Sequence, residues 1–174
     1  MTTSASTATP ARLLPGDPRI ETWRGFLHAH ARLLRRMDEE LQAAHGLSMA
    51  EYDALIQLAG APGRRLRMSA LADKVLLSRS GITRLVDRLV ADGMVERSAC
   101  TTDARGAEAI LTAAGLDRLR EASRTHLDGV QRYFLGAMTD DEVASMGHSL
   151  DRIAETLDER VDPSDPVCTA ALEG

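Results

Sequence analysis

Apolar residues recur every three to four positions along most of this chain, which is the period of an amphipathic helix. The longest such pattern runs from residue 19 to about residue 46, and two more occupy residues 112–138 and 139–157. Three shorter patterns lie between residues 48 and 92. The chain is therefore predicted to be mainly α-helical, with long helices towards its two ends and short helices between them.

Residues that favour helix termini support these boundaries. Ser48 and Thr139 are each followed three residues later by a glutamate, the capping-box pattern in which side chain and backbone satisfy each other's hydrogen bonds. Ser78 and Thr112 are placed to cap two further helices. Glycines at positions 46 and 93 are placed to close the first and fourth helices, because glycine adopts the left-handed conformation of a C-cap.

Short alternating stretches interrupt the helical pattern, and alternation is the period of a strand. Residues 65–68 predict an edge strand, and residues 94–99 and 107–112 predict the two strands of a hairpin with a polar tip. The two short helices before this hairpin, over residues 71–77 and 78–92, are placed as a helix-turn-helix. The predicted fold class is thus mainly α with a small β-hairpin wing.

The composition of the 174 residues is that of a globular protein, with 44% hydrophobic and 27% charged residues. No apolar run approaches the roughly 18 residues that span a membrane, and the first residues do not have the pattern of a secretory signal. Two cysteines, Cys100 and Cys168, are too few for a disulfide framework. These features predict a cytoplasmic protein.

Charge is distributed unevenly along the chain, whose formal net charge is −5. Residues 64–105 contain nine basic and five acidic residues, a net charge of +4, which leaves −9 for the remainder. A basic module within an acidic protein is the asymmetry expected of a nucleic-acid-binding protein.

The predicted helix over residues 78–92 is the candidate for reading DNA. The second helix of a helix-turn-helix lies in the major groove, with residues near its N-terminus facing the base edges. The apolar stripe of the helix over residues 78–92 must pack inward, so the arginines and hydroxyl residues of this helix face outward. An outward arginine can pair with guanine. The predicted DNA contacts on this helix are Ser78, Arg79, Ser80, Thr83, Arg84 and, at a phosphate, Arg88.

The alternative for these arginines is a solvated helix face with ion pairs at helical spacing. The pairs would be Arg84 with Asp87 and Arg88 with Asp92.

The hairpin is predicted to add a second DNA contact. Arg105 at its tip is placed to enter a minor groove, where negative potential is concentrated. Asp103 cannot favour DNA directly, so its predicted role is to orient Arg97 or Arg105 through a charge-assisted hydrogen bond.

At this point the sequence resembles the MarR family of winged-helix transcriptional regulators. The resemblance covers about residues 20–157, and a wing motif followed by a Leu-Thr-x-x-Gly motif is far more specific than a helix-turn-helix alone. The matching stretches are residues 71–97, then Asp103-Ala-Arg105-Gly106, then Leu111-Thr-Ala-Ala-Gly115.

The resemblance implies a homodimer that binds a palindromic operator in double-stranded DNA, commonly as a repressor released by a small aromatic acid or phenol. The winged helix-turn-helix would be inserted between dimerisation helices. The implied division is a disordered arm over residues 1–18, a first dimerisation helix over 19–46, a DNA-binding lobe over 47–111, further dimerisation helices over 112–160 and a tail over 161–174.

By the same analogy, the ligand would lie between the dimerisation helices and the DNA-binding lobe. Its predicted wall residues are Trp23, His30, Tyr52 and Asp53, with the alternative that Trp23 belongs to the dimer interface. Peroxide-sensing members carry a cysteine near the start of the first helix, which this chain does not have, and Cys100 lies at the wing instead.

No enzymatic or metal function is predicted. The sequence contains no phosphate-binding Gly-x-x-x-x-Gly-Lys, no Gly-x-Gly-x-x-Gly, no His-Glu-x-x-His and no Gly-x-Ser-x-Gly. The five histidines are scattered, so neither a metal nor a cofactor is expected. Three alternatives stay open: a ligand-independent regulator, an activator, and a winged-helix module that binds a protein instead of DNA.

Overall fold

A computed structural model describes residues 16–99 and 107–157. Most of the predicted arm, the hairpin tip with Cys100, Asp103 and Arg105, and the tail with Cys168 lie outside the described residues. Within them, helices and strands follow one another in the predicted order. They are α1 (Arg19–His45), α2 (Met49–Gly60), β1 (Arg65–Arg67), α3 (Met68–Lys74), α4 (Arg79–Ala91), β2 (Val95–Ala99), β3 (Ala107–Leu111), α5 (Ala113–Tyr133) and α6 (Asp140–Thr156).

The predicted N-caps are confirmed. Ser48 and Thr139 each form a complete capping box with the glutamate three residues later. The Ser78 hydroxyl accepts a hydrogen bond from the amide of Gly81 at 3.1 Å. At the start of α5, the Thr112 hydroxyl accepts a hydrogen bond from the amide of Gly115 at 2.9 Å. Local hydrogen bonding therefore fixes where α2, α4, α5 and α6 begin.

The two predicted strands of the hairpin pair as expected, and the predicted edge strand joins them. The sheet is antiparallel with the order β1-β3-β2, so β1 and β2 are both edges. Arg97 of β2 is opposite Ala109 of β3, whose side chain is fully buried. The sheet closes one side of the helix-turn-helix, and β2 and β3 are the described strands of the wing.

Helix α2 is the centre of the core. It contacts α1, α3, α4 and α5 as well as β1 and β3. Leu55 and Leu58 on α2 are completely buried. Helix α4 packs one face into the same core, and its buried residues are Ile82, Leu85, Val86 and Leu89. That packing fixes which face of α4 is turned outward.

The turn between α4 and β2 is joined tightly to the start of α5. Gly93 has a φ of +71°, a conformation that favours glycine, and it closes α4 as predicted. The Thr112 hydroxyl donates a hydrogen bond to the Gly93 carbonyl at 2.8 Å. A Cβ on Gly115 would stand only 2.1 Å from the carbonyl oxygen of Met94. The Leu-Thr-x-x-Gly motif is therefore the joint between the wing and α5.

The apolar stripes of α1 and α6 are largely uncovered in a single chain. Only Met37 and Leu41 of α1 are buried, although the predicted stripe begins at Trp23. No residue of α6 is buried, and Ile153 is 55% exposed. None of the helices in the described ranges is long and apolar enough to cross a membrane. The helical period was predicted correctly, but packing within the chain covers only part of it.

Candidate nucleic-acid interface

The outward face of α4 carries the polar and basic residues that were predicted to read DNA. Arg79, Ser80, Thr83 and Arg84 are all exposed, on the side opposite the buried leucines. The Ser78 hydroxyl lies 3.2 Å from the Ser80 hydroxyl at the beginning of the helix. The first two turns of α4 thus present two arginines and three hydroxyl groups on one surface.

Among residues 16–99 and 107–157, the guanidinium groups of Arg79 and Arg84 have no ion-pair or hydrogen-bond partner. The Thr83 hydroxyl donates a hydrogen bond to the backbone carbonyl of Arg79 at 2.8 Å, which limits its own free hydrogen bonding to acceptance. The ion pair between Arg84 and Asp87 that was considered as an alternative is not formed, and Asp87 has another partner.

That partner is Arg97 of β2. One terminal nitrogen of Arg97 lies 2.9 Å from a carboxylate oxygen of Asp87, and the other donates to the Thr83 carbonyl at 3.1 Å. The predicted orienting acid, Asp103, lies outside the described residues. Arg97 therefore fastens β2 to the outer side of α4, and the sequence analysis did not predict Asp87 as its partner.

Arg88 is also held, by Glu51 at the start of α2. Its Nε donates to Glu51 Oε1 at 2.7 Å, and the predicted alternative partner, Asp92, is not used. Glu51 is 8% exposed and accepts two more hydrogen bonds from Ser48. Burial acts to raise the pKa of Glu51, but the bonds from Ser48 and Arg88 outweigh it and lower that pKa. A charged Glu51 thus fixes the distal part of α4, while the Arg88 side chain remains 57% exposed.

The four predicted ligand-wall residues have different surroundings among the described residues of a single chain. Trp23 and His30 lie on the exposed face of α1, where both stack against Phe26. Tyr52 is buried, and its ring lies 4.6 Å from the ring of His126 on α5. Asp53 accepts a hydrogen bond of 3.5 Å from Gln57 on the same helix.

A groove of about 410 Å³ lies elsewhere, between α1 and α5. It is open to solvent and contains none of the four predicted wall residues. Among the described residues, no cluster of three or more histidine, cysteine, aspartate or glutamate side chains is arranged to hold a metal ion. The residues that line the groove are Glu40, Ala43, Ala44, Thr125, Asp128 and Arg132.

His126 is the buried titratable group of this region. It is 7% exposed, and its Nδ1 has no hydrogen-bond partner among the described residues. Burial lowers the pKa of His126, because a charged imidazole would lose its hydration between α2 and α5. The neutral imidazole of His126 is therefore the form favoured in the folded protein.

A helix-turn-helix backed by a three-stranded sheet, with unpaired arginines on its second helix, defines a winged helix-turn-helix protein. The MarR family model matches residues 45–106. Sco3205 of Streptomyces coelicolor, a MarR family transcriptional regulator solved in complex with DNA, is 34% identical with a TM-score of 0.77. The alignment covers 84% of this chain and 91% of Sco3205.

Two further proteins agree with this match. AbsC, another MarR family transcriptional regulator of Streptomyces coelicolor, is 31% identical with a TM-score of 0.76, over 86% of this chain and 99% of AbsC. The HTH-type transcriptional repressor YetL of Bacillus subtilis (strain 168) is 33% identical over 92 residues, which are 53% of this chain. The match spans about half of that curated relative, 55% of its length.

This chain belongs to the MarR family. It is a transcriptional regulator with the winged helix-turn-helix fold, as its relatives of the same family are named. The resemblance inferred from the wing and Leu-Thr-x-x-Gly motifs is confirmed.

Proposed function

We propose that this protein is a homodimeric transcriptional repressor that binds a palindromic operator and is released by a small aromatic or phenolic anion. The observation that carries the proposal is the exposed face of α4. Arg79 and Arg84 stand there without a partner in the described part of the chain, while the opposite face is buried in the core. Two unpaired cations on a rigid helix suit the base edges and phosphates of a major groove.

Binding of double-stranded DNA is supported by the complex of Sco3205 with DNA. In this proposal Ser78, Ser80 and Thr83 contact DNA beside the two arginines, and Arg88 reaches a phosphate with its outer edge. Arg97 acts from the wing, together with Asp103 and Arg105 of the hairpin tip. The repressor role is supported by the designation of YetL as a repressor.

The homodimer is proposed from the uncovered stripes of α1 and α6. Trp23 on α1 is 57% exposed, Ile153 on α6 is 55% exposed, and Leu157 at the C-cap of α6 is 63% exposed. A second copy would cover them. Residues 47–111 would then form the DNA-binding lobe, and residues 19–46 and 112–160 the dimerisation region.

The dimer is taken to have two arrangements that differ in the distance between its two DNA-binding lobes. Release by a ligand requires only that the ligand binds one of these arrangements more tightly than the other. A coupling of about 1–3 kcal/mol between ligand and DNA is typical. The ligand site is proposed at the junction of α1, α2 and α5, with Trp23, His30, Tyr52 and Asp53 as candidate walls. A second copy would bring its own α1 to this junction.

The test is fluorescence anisotropy with a DNA duplex that the purified protein enriches from a random library, against a scrambled duplex. We expect tight binding to the enriched duplex that weakens steeply with salt, because arginines release counterions from phosphates. Arg84→Ala should weaken binding roughly 5- to 150-fold, the range of about 1–3 kcal/mol for one base-reading side chain. Benzoates and phenols, added to the preformed complex, should lower the anisotropy.

Arg124→Ala is the matched control. Arg124 is an exposed arginine on α5, outside the helix-turn-helix, so its removal changes the net charge equally and should leave binding within about twofold. Equal losses for both variants would show that α4 does not read DNA. Failure to enrich any duplex would favour the alternative function, a winged-helix module that binds a protein.

A further inference from the structure

The turn between α3 and α4 contains a leucine where the backbone geometry favours glycine. Helix α3 ends in a Schellman motif: the Leu77 amide donates to the Ala72 carbonyl at 2.9 Å, and the Leu76 amide donates to the Asp73 carbonyl at 3.3 Å. This motif places Leu76 in the left-handed region, with a φ of +54°. A side chain there brings Cβ too close to the backbone, which costs free energy that glycine does not lose.

The end of α4 shows the same motif with the expected residue. The Met94 amide donates to the Leu89 carbonyl at 2.9 Å, and Gly93 occupies the left-handed position with a φ of +71°. The two motifs lie in the same lobe and differ in this one respect. The backbone of the first turn therefore does not itself require a leucine.

Packing does not explain Leu76 either. Its side chain is 89% exposed, the highest exposure of any large hydrophobic residue in the described chain. The next residue, Leu77, is the one that packs against the core. Leu76 thus adds strain to the turn and presents most of its apolar surface to solvent.

The position of Leu76 suggests what it contacts. Two residues later, Ser78 caps α4, so the two Cα atoms lie within about 7 Å of each other. Leu76 is therefore next to the end of α4 that carries Ser80 and the unpaired Arg79. In a helix-turn-helix this end of the second helix is the one that approaches the base edges.

We propose that Leu76 is a specificity-determining residue that makes an apolar contact with DNA, at a thymine methyl group or at the hydrophobic face of a deoxyribose. This inference rests on the proposed function, since it requires that the N-terminal end of α4 enters the groove. Strained backbone positions that the fold does not need are often found at functional sites. The thymine methyl is the apolar group that the major groove offers to such a side chain.

Three variants separate this role from a structural one. Leu76→Gly and Leu76→Asn both remove the apolar side chain and suit a positive φ, whereas Leu76→Met keeps an apolar side chain of similar size. We expect the melting temperature of Leu76→Gly to be the same as that of the wild type or up to about 2 °C higher. We expect its affinity for the enriched duplex to fall at least about fourfold, the effect of one buried methyl-sized group. Leu76→Met should bind as the wild type does.

The source of the contact is resolved by replacing each thymine of the enriched duplex in turn with uracil, which removes only the methyl group. If a thymine methyl is the contact, one such replacement weakens the wild type about fourfold and leaves Leu76→Gly unaffected. If deoxyribose is the contact, Leu76→Gly binds weakly and no single replacement matters.

Two results would overturn the inference while leaving the proposed function standing. One is wild-type affinity of Leu76→Gly and Leu76→Asn for the enriched duplex, which would turn attention to a protein partner for this leucine. The other is a melting temperature of Leu76→Gly several degrees below that of the wild type, which would show that Leu76 supports the fold. If no duplex is enriched, the proposed function and this inference fall together.

Discussion

Gly115→Ala is the substitution that most directly tests the joint between the wing and α5. Gly115 lies in the first turn of α5, and its amide donates to the hydroxyl of Thr112. An added Cβ would stand 2.1 Å from the Met94 carbonyl oxygen and 2.8 Å from a methyl carbon of Leu111. A Cβ contact below 3.0 Å essentially never occurs, so the backbone itself must move.

The expected cost follows from this geometry. Overpacking a core by a methyl group typically costs about 1–3 kcal/mol, and the obstructing atom here is a backbone oxygen that cannot rotate away. The better helix propensity of alanine returns only about 0.5–1 kcal/mol. Because the obstructing oxygen is fixed, we take the upper end of that range and expect a net loss of about 2 kcal/mol, which lowers the melting temperature by roughly 4–8 °C in a chain of this size.

Thermal unfolding of both proteins at one protomer concentration measures the effect, because dimer stability depends on concentration. Gly25→Ala is the matched control. Gly25 lies inside α1 with no atom within 4 Å of an added Cβ, so this variant should be more stable than the wild type by about 0.5–1 kcal/mol. A loss below about 0.5 kcal/mol for Gly115→Ala would refute the close packing of α5 against the α4–β2 turn.

Three further predictions concern the assembly, the buried histidine and the start of α2. Ile153→Asp should dissociate the proposed dimer in sedimentation, because a charge cannot be buried between two apolar stripes, whereas His148→Asp on the other side of α6 should not. The wild type should lose stability as the pH falls below about 6.5, and His126→Phe should reduce that loss. In chemical denaturation, Glu51→Ala should lower the free energy of unfolding by about 1–2 kcal/mol. The control Glu39→Ala removes only exposed ion pairs and should lower it by about 0.5 kcal/mol or less.

The sign of the histidine effect follows from linkage. The pKa of His126 is lower in the folded protein than in the unfolded chain. Below pH 6.5 the unfolded chain takes up a proton that the folded protein resists, so unfolding becomes more favourable. A stability–pH profile of His126→Phe that parallels that of the wild type would contradict this explanation. The prediction for α6 is wrong if Ile153→Asp remains a dimer. The prediction for α2 is wrong if Glu51→Ala has the same free energy of unfolding as the wild type.

The sequence alone determined the features that depend on near neighbours. A helical period is set by contacts between residues three and four apart, and the caps at Ser48, Ser78, Thr112 and Thr139 are set by hydrogen bonds across three residues. The outward face of α4 follows from the same period. For this reason the helix boundaries and the winged helix-turn-helix could be predicted without a structure.

Other features depend on residues far apart along the chain, and only the tertiary structure decided them. Glu51 was predicted as a cap, but its second role comes from Arg88, 37 positions later. Asp87 and Arg97 meet only because the wing folds back on α4.

Burial shows the same division. Trp23 and Tyr52 both lie on predicted apolar stripes, yet one is 57% exposed and the other 2%. Periodicity identifies a face that must be covered, and it does not identify what covers it. That depends on how the helices pack against one another in three dimensions.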